Sequence, residues 1–149
     1  MEQISLKNHK IAIVDDEKIF RDSLKPILSI EGFSVICFKN GSEFLNYMKS
    51  KRADIVLLDM ELPDLNGIDI QTYINENDLD ISIIFISGQS SNSQVAQAFR
   101  GGAYDFLVKP FSSEELLDSL KSVLEKKKVI DNKIVNARLF RKKYSLLKN

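Results

Sequence analysis

The chain has 149 residues, of which 44% are hydrophobic and 28% charged, proportions typical of one globular domain with a substantial core. The formal net charge is zero, but nine basic residues and one acidic residue after Glu125 give that segment +8 and leave −8 on the rest. One cysteine, Cys37, excludes an internal disulfide, and one histidine, His9, excludes a histidine triad or a multi-histidine metal site.

Membrane insertion and secretion have no signal in the sequence. The longest apolar stretches lie near residues 55–58 and 81–86, and both are far shorter than the roughly 20 residues that span a bilayer. Residues 1–10 are polar and lack the apolar core of a signal peptide. Together with the single cysteine, these features predict a cytoplasmic protein without a membrane segment.

Short apolar runs along the chain predict five strands, each followed by a helix. The runs occupy residues 10–14, 34–38, 55–58, 81–86 and 104–108. In the first helix we expect Pro26 to kink the axis or remove a hydrogen bond, and Gly32 to end it. The last helix begins at Ser112, where Ser112-Ser113-Glu114-Glu115 matches a capping box.

The strict alternation of strands and helices predicts the fold class. Strands alternating with helices at this spacing form a parallel sheet with helices on both faces. The run at 55–58 is apolar at every position, as expected for a central strand covered on both sides. The sequence therefore predicts a doubly wound α/β domain.

Chemically active side chains stand where these strands end. Asp15 and Asp16 follow the first strand, Asp59 the third, Ser87 the fourth and Lys109 the fifth. Because the carboxyl ends of parallel strands share one edge of the sheet, where ligands bind in open α/β folds, we expect these side chains to meet.

Three carboxylates at one edge repel each other unless a cation lies between them. Oxygen ligands without histidine or cysteine favour a hard ion, Mg²⁺ or alternatively Mn²⁺. A lysine and a hydroxyl beside the metal suit the remaining oxygens of a phosphoryl group. A carboxylate can itself act as the nucleophile and form an acyl phosphate. The predicted site therefore suits phosphoryl chemistry.

At this point the sequence resembles the receiver domains of bacterial two-component response regulators, over about residues 10–124. Four motifs in the family's order carry the resemblance: Val14-Asp15-Asp16-Glu17, Leu58-Asp59-Met60-Glu61-Leu62-Pro63-Asp64-Leu65-Asn66-Gly67, Ile86-Ser87-Gly88 and Gly102-Ala103-Tyr104-Asp105-Phe106-Leu107-Val108-Lys109-Pro110-Phe111. The resemblance implies a CheY-like, flavodoxin-like sheet of five parallel strands in the order 2-1-3-4-5.

The resemblance also implies roles for the residues at the sheet edge. Asp59 would be the phosphoacceptor and would take its phosphoryl group from a histidine kinase. Asp16 and Asp59 would ligate Mg²⁺ directly, Asp15 largely through water and Glu61 through its backbone carbonyl. Lys109 would pair with the phosphoryl oxygens.

Two residues would transmit the change. Ser87 would move its hydroxyl toward the phosphoryl group, and Phe106 would rotate inward as the switch aromatic. The Lys109-Pro110 peptide bond would be cis. The resemblance implies a phosphoacceptor that assists its own phosphotransfer and dephosphorylation, without turnover catalysis and without an organic cofactor.

The segment 125–149 is predicted to be a basic helical tail that extends the last helix of a receiver at 1–124. Apolar residues recur along it at alternating steps of three and four, interrupted by Lys127 and Arg141. This stripe is compatible with pairing to a second copy, and equally with a charged helix in water. A dimer could instead form through helix 4, strand 5 and helix 5.

Several outputs are compatible with this tail. The fifth-strand motif followed by a charged helix resembles FixJ-type transcription regulators, in which a linker helix leads to a DNA-binding output domain. The chain could also be a stand-alone receiver, with DNA bound only weakly by the basic tail. A phosphatase of the haloacid dehalogenase type is a further alternative, but that family carries Asp-x-Asp after its first strand, whereas Asp59-Met60-Glu61 follows the third.

Overall fold

The computed structural model describes residues 8–147, with side chains up to residue 143, and consists of a central sheet between two layers of helices. The strands are β1 Lys10–Val14, β2 Ser34–Phe38, β3 Ile55–Asp59, β4 Ser82–Ser87 and β5 Asp105–Val108. The helices are α1 Lys18–Ile30, α2 Gly41–Met48, α3 Gly67–Glu76, α4 Asn92–Arg100 and α5 Ser113–Leu147. Strands and helices alternate in the predicted order.

All strand pairs are parallel, and the sheet order is β2-β1-β3-β4-β5. This confirms the order 2-1-3-4-5. β3 lies at the centre, and all five of its residues are buried. The apolar run that ends in Asp59 therefore occupies the position that its hydrophobicity predicts.

Alternate residues of the strands supply two separate cores. Ala12, Val14, Val56 and Leu58 belong to the core under α2, α3 and α4. Their neighbours along the same strands, such as Ile11 and Ile55, join the core that α1 and α5 cover. Because successive strand side chains point to opposite faces, an unbroken apolar run is needed to fill both cores.

Helix α1 ends as predicted. Gly32 has φ = 103°, a conformation that glycine adopts without steric cost. The Gly32 N–H donates to the Ser29 carbonyl at 3.1 Å and the Phe33 N–H to the Leu28 carbonyl at 3.1 Å, which is the hydrogen-bond pattern of a Schellman cap. Pro26 lies inside α1 without ending it.

Helix α5 begins at the predicted cap and continues far beyond the sheet. The Ser112 hydroxyl accepts the Glu115 N–H at 3.0 Å. Val123 and Leu124 are the last buried residues along the helix, and residues 128–143 are all exposed. Tyr144, which the sequence places on the apolar stripe of the tail, lies outside the described side chains.

No helix within residues 8–147 is long and apolar enough to cross a membrane. The Lys109-Pro110 peptide bond is cis, as the sequence resemblance implied. A cytoplasmic location stays a prediction.

The loop after β3 is tied to the start of α2 by one carboxylate. Asp64 accepts hydrogen bonds from the Gly41 N–H at 3.0 Å, the Ser42 N–H at 2.9 Å and the Ser42 hydroxyl at 2.6 Å. A small burial term opposes ionisation, but these hydrogen bonds outweigh it and lower the pKa of Asp64 to about 2. The loop that carries Glu61 is therefore anchored to a helix beyond the neighbouring strand.

We predict that Asp64→Ala lowers the free energy of unfolding by roughly 1 kcal/mol, the usual effect of losing a helix cap. Solvent screening of this exposed carboxylate keeps the effect modest. Because the folded pKa lies below the unfolded value of about 3.9, the contribution is complete above that pH and disappears as pH falls toward 2. Urea unfolding of both proteins at pH 7 and pH 2.5 tests this, and an equal difference at both values would contradict it.

Candidate functional site

The register of the sheet places the predicted site residues at its carboxyl edge. Val14 pairs with Leu58, Asp59 with Ile86, and Ser87 with Val108. The Lys109 N–H then donates to the Ser87 carbonyl at 2.8 Å. The residues that end β1, β3, β4 and β5 therefore lie side by side, as the sequence predicted.

Asp15 is completely buried and fully engaged. One carboxylate oxygen, Oδ1, accepts the Glu17 N–H at 2.8 Å, and Oδ2 accepts the Lys109 ammonium at 2.7 Å. The Arg21 guanidinium donates to the Asp15 backbone carbonyl at 2.6 Å. Asp15 therefore acts in this structure as the fixed anion that holds Lys109.

Asp59 is only 6% exposed, and its Oδ1 accepts the Glu61 N–H at 2.9 Å. Burial raises the pKa of Asp59 to about 7, the charge of Asp15 raises it further, and the Glu61 N–H and Lys109 oppose this rise. An ionised Asp59 is therefore held in an environment that disfavours its charge, as expected for a site that receives a cation.

Lys109 is the cation that balances these acids. Its Nζ lies 2.7 Å from Asp15, 3.4 Å from Glu17 and 3.8 Å from Asp59. Burial alone would lower the pKa of Lys109, but the hydrogen bond to Asp15 and the three negative charges raise it above its ordinary value. Lys109 is therefore positively charged and linked to the ends of both β1 and β3.

The remaining acids line an open pocket of about 440 Å³ in front of Lys109. Its walls are formed by Asp16, Glu17, Asp59, Glu61, Gly88, Gln89 and Lys109. Carboxylate oxygens of Asp15, Asp16 and Glu17 lie within 4.8 Å of one another. This all-oxygen set fits a hard divalent cation such as Mg²⁺.

Ser87 and Phe106 lie on the adjacent strands. The Ser87 Oγ is 2.7 Å from the Ser90 Oγ and accepts the Gln89 N–H at 3.1 Å. The partly buried Phe106 ring lies 6.1 Å from the Phe85 ring, at an interplanar angle of 35°. In this structure the Ser87 hydroxyl is held by the loop that follows β4.

Sequence reasoning missed two members of this site. Glu17 joins the acidic cluster and contacts Lys109 at 3.4 Å, and its position next to Asp15-Asp16 was a usable signal. Ser90 binds the Ser87 hydroxyl, but nothing in the polar run 89–93 distinguishes it from its neighbours.

Comparison with known proteins decides the family. A family model described as the response regulator receiver domain matches residues 11–121. The chain belongs to this family. The haloacid dehalogenase alternative has no matching feature, since Asp59 ends the third strand.

Individual relatives and structures agree with this receiver assignment. The chain is 36% identical to the response regulator protein TodT of Pseudomonas putida over 115 residues, covering 77% of this chain and 51% of TodT. It is 33% identical to the response regulator MprA of Mycobacterium avium over 123 residues, covering 83% of this chain and 54% of MprA. The chain thus spans about half the length of these relatives.

Two solved structures are informative. The BeF3-activated receiver domain of DrrB, a Thermotoga maritima protein, matches with a TM-score of 0.70 and 35% identity, covering 78% of this chain and 97% of that one. Full-length FixJ from B. japonicum matches with a TM-score of 0.75 and 28% identity, covering 80% of this chain and 59% of FixJ. The receiver fold is therefore shared with both.

We predict that Lys109→Met in Mg²⁺-free buffer lowers the free energy of unfolding by about 2 kcal/mol, because Asp15 and Asp59 lose their counter-charge. Partial exposure keeps this below the roughly 3–5 kcal/mol of a fully buried pair. The double variant Asp15→Asn, Lys109→Met should recover most of the loss, since it also removes the unpaired buried anion. Denaturant unfolding at pH 7 measures both, and a double variant no more stable than Lys109→Met would contradict the pairing.

Proposed function

We propose that this receiver domain is a phosphorylation-controlled switch in which Asp59 accepts a phosphoryl group from the phosphohistidine of a histidine kinase. The observation that supports this most directly is the division of labour between two buried carboxylates. Asp15 is fully engaged by hydrogen bonds, whereas Asp59 borders the open pocket and lies 3.8 Å from Lys109. Asp59 is thus the carboxylate that a phosphoryl donor can reach.

The proposed step is a displacement at phosphorus. A carboxylate oxygen of Asp59 attacks the phosphorus, the new O–P bond forms as the donor's N–P bond breaks, and the imidazole nitrogen leaves with the electron pair. Asp59 must be ionised to attack. The adjacent ammonium of Lys109 favours that form and then pairs with the phosphoryl oxygens.

Asp16, Asp59 and the backbone carbonyl of Glu61 would hold Mg²⁺, with Asp15 contributing through water and Glu17 at the rim. All five residues lie at or directly behind the oxygen-lined pocket, and Mn²⁺ suits the same ligands. When bound, the ion neutralises charge on the transferring phosphoryl group.

The acyl phosphate is the signal, so the protein is a phosphoacceptor and not a turnover enzyme. Hydrolysis of the acyl phosphate by water would return Asp59 to its starting state. Phosphorylation would offer the Ser87 hydroxyl a phosphoryl oxygen in place of Ser90, and the movement of Ser87 would allow Phe106 to turn inward. Ser90 therefore stabilises the unphosphorylated state in this proposal.

Beryllofluoride, which mimics the phosphoryl group on a carboxylate, provides the test. With Mg²⁺ it should change the backbone NMR signals of β4, β5 and α4 in the wild type. Asp59→Asn should abolish the response, since the mimic bonds to a carboxylate oxygen. Ser90→Ala serves as a matched variant that should respond at lower beryllofluoride concentration, because Ser87 no longer loses a hydrogen bond. A response retained in Asp59→Asn would refute the assignment.

The output segment is proposed to begin after residue 124, where the core ends. Leu124 is 3% exposed, whereas Ile130 and Ile134 are 46% and 45% exposed on the extension of α5. These two apolar residues support pairing with a second copy, which would act as a linker toward an output domain of the FixJ type. The face of α4 and β5 is the alternative dimer surface, with Phe99 46% and Val108 62% exposed.

Removal of residues 126–149 tests this boundary and the role of the extension. The truncated chain should fold and keep its beryllofluoride response, because only the ion pairs of Lys127 with Asp54 and Asp80, each 3.9 Å long, are lost from the receiver. Light scattering should find a dimer for the full chain and a monomer after truncation. A monomeric full chain would contradict pairing through α5, and salt-sensitive DNA binding lost on truncation would favour a nucleic-acid role for the tail.

A further inference from the structure

The surroundings of the Lys109 ammonium differ sharply between its two sides. Three carboxylates lie within 4 Å of it, those of Asp15, Glu17 and Asp59. On another side, Nζ lies 4.1 Å from the centroid of the Phe20 ring. A cation this close to an aromatic face is attracted by the negative face of the ring quadrupole.

The Phe20 ring is held in place by contacts other than Lys109. It forms an edge-to-face pair with Phe111, with ring centroids 5.9 Å apart and an interplanar angle of 90°. Both rings pack against the core between the sheet and helices α1 and α5. Because α1 begins at Lys18, its first turn brings Phe20 back toward the sheet edge.

The ring also stands at a boundary. Phe20 and Lys109 both line an apolar pocket of about 430 Å³ between α1 and the segment after β5. Lys109 also lines the polar pocket that contains Asp59, and Phe20 does not. The aromatic ring is therefore placed to keep the ammonium directed toward the acids.

We propose that Phe20 is a positioning residue for Lys109, which guides the ammonium from Asp15 toward the group bound at Asp59. This inference rests on the proposed function. The ammonium now lies 2.7 Å from Asp15 and 3.8 Å from Asp59, so pairing with a phosphoryl group requires it to move.

The physical reason lies in the angular dependence of the two kinds of contact. A hydrogen bond to Asp15 weakens steeply when the ammonium leaves its alignment. The attraction of an ammonium to an aromatic face acts anywhere within about 6 Å of the centroid. The ring therefore keeps stabilising Lys109 through a displacement of about 1 Å, while the contact with Asp15 is lost.

The test measures the affinity of the full chain for beryllofluoride at saturating Mg²⁺, and its affinity for Mg²⁺ alone. Phe20→Leu keeps an apolar side chain but removes the aromatic face, and it should weaken beryllofluoride binding by about three- to tenfold. Phe20→Tyr keeps the face and should bind within about twofold of wild type. Mg²⁺ affinity should change less than about twofold in both variants, since the ring contacts none of the acids.

Two controls separate positioning from a loss of packing. Phe140→Leu makes the same chemical change at a 70% exposed position on the extension of α5 and should leave both affinities unchanged. In a Lys109→Met background, Phe20→Leu should have no further effect on beryllofluoride binding, because the double-mutant cycle isolates their interaction.

The outcomes are distinct. If Phe20→Leu binds beryllofluoride as wild type does, or Phe20→Tyr binds as weakly as Phe20→Leu, the positioning role is overturned. A loss that persists in the Lys109→Met background also overturns it and assigns Phe20 to packing. If the wild type itself gives no Asp59-dependent beryllofluoride binding, the proposed function fails and the role of Phe20 fails with it.

Discussion

The contact between Lys109 and two buried carboxylates is the constraint on which the rest of the site depends. Asp15 and Asp59 end neighbouring strands, and neither is more than 6% exposed. Two anions placed so close together in a poorly hydrated region require a cation. Lys109 supplies it across the carboxyl edge of the sheet, and its backbone N–H is fixed to β4 through the Ser87 carbonyl.

The two carboxylates are chemically identical residues with different tasks because their surroundings differ. Both oxygens of Asp15 accept hydrogen bonds from within the protein. Asp59 has one such bond, from the Glu61 N–H, and faces the pocket. Burial has raised the pKa of Asp59 to about 7, so its charge is stabilised less than that of an ordinary aspartate. A divalent cation and a phosphoryl group would each relieve part of this imbalance, which is how the fold couples a local reaction to its own energetics.

Much of this arrangement could be predicted because two simple rules apply to it. Unbroken apolar runs identify buried parallel strands, and parallel strands bring their carboxyl ends to one edge. Asp15, Asp59, Ser87 and Lys109 were placed together by these rules alone. The contacts of Glu17, Ser90 and Phe20 depend instead on side-chain conformations in loops and in the first turn of α1, on which hydrophobic patterning carries no information. The apolar pattern at 95–99 correctly predicted α4, yet Ala98 is its one buried residue, so periodicity overstated how deeply that helix packs.

The central claim is that one carboxylate, Asp59, carries the phosphoryl group. The most direct measurement is to phosphorylate the full chain with a small-molecule phosphodonor and Mg²⁺, reduce the acyl phosphate with borohydride, and map the modified residue by peptide mass spectrometry. The account predicts a single modified site at Asp59 that is absent without Mg²⁺ and absent in Asp59→Asn. Modification at Asp15 or Asp16 in the wild type, or equal labelling of Asp59→Asn, would contradict it.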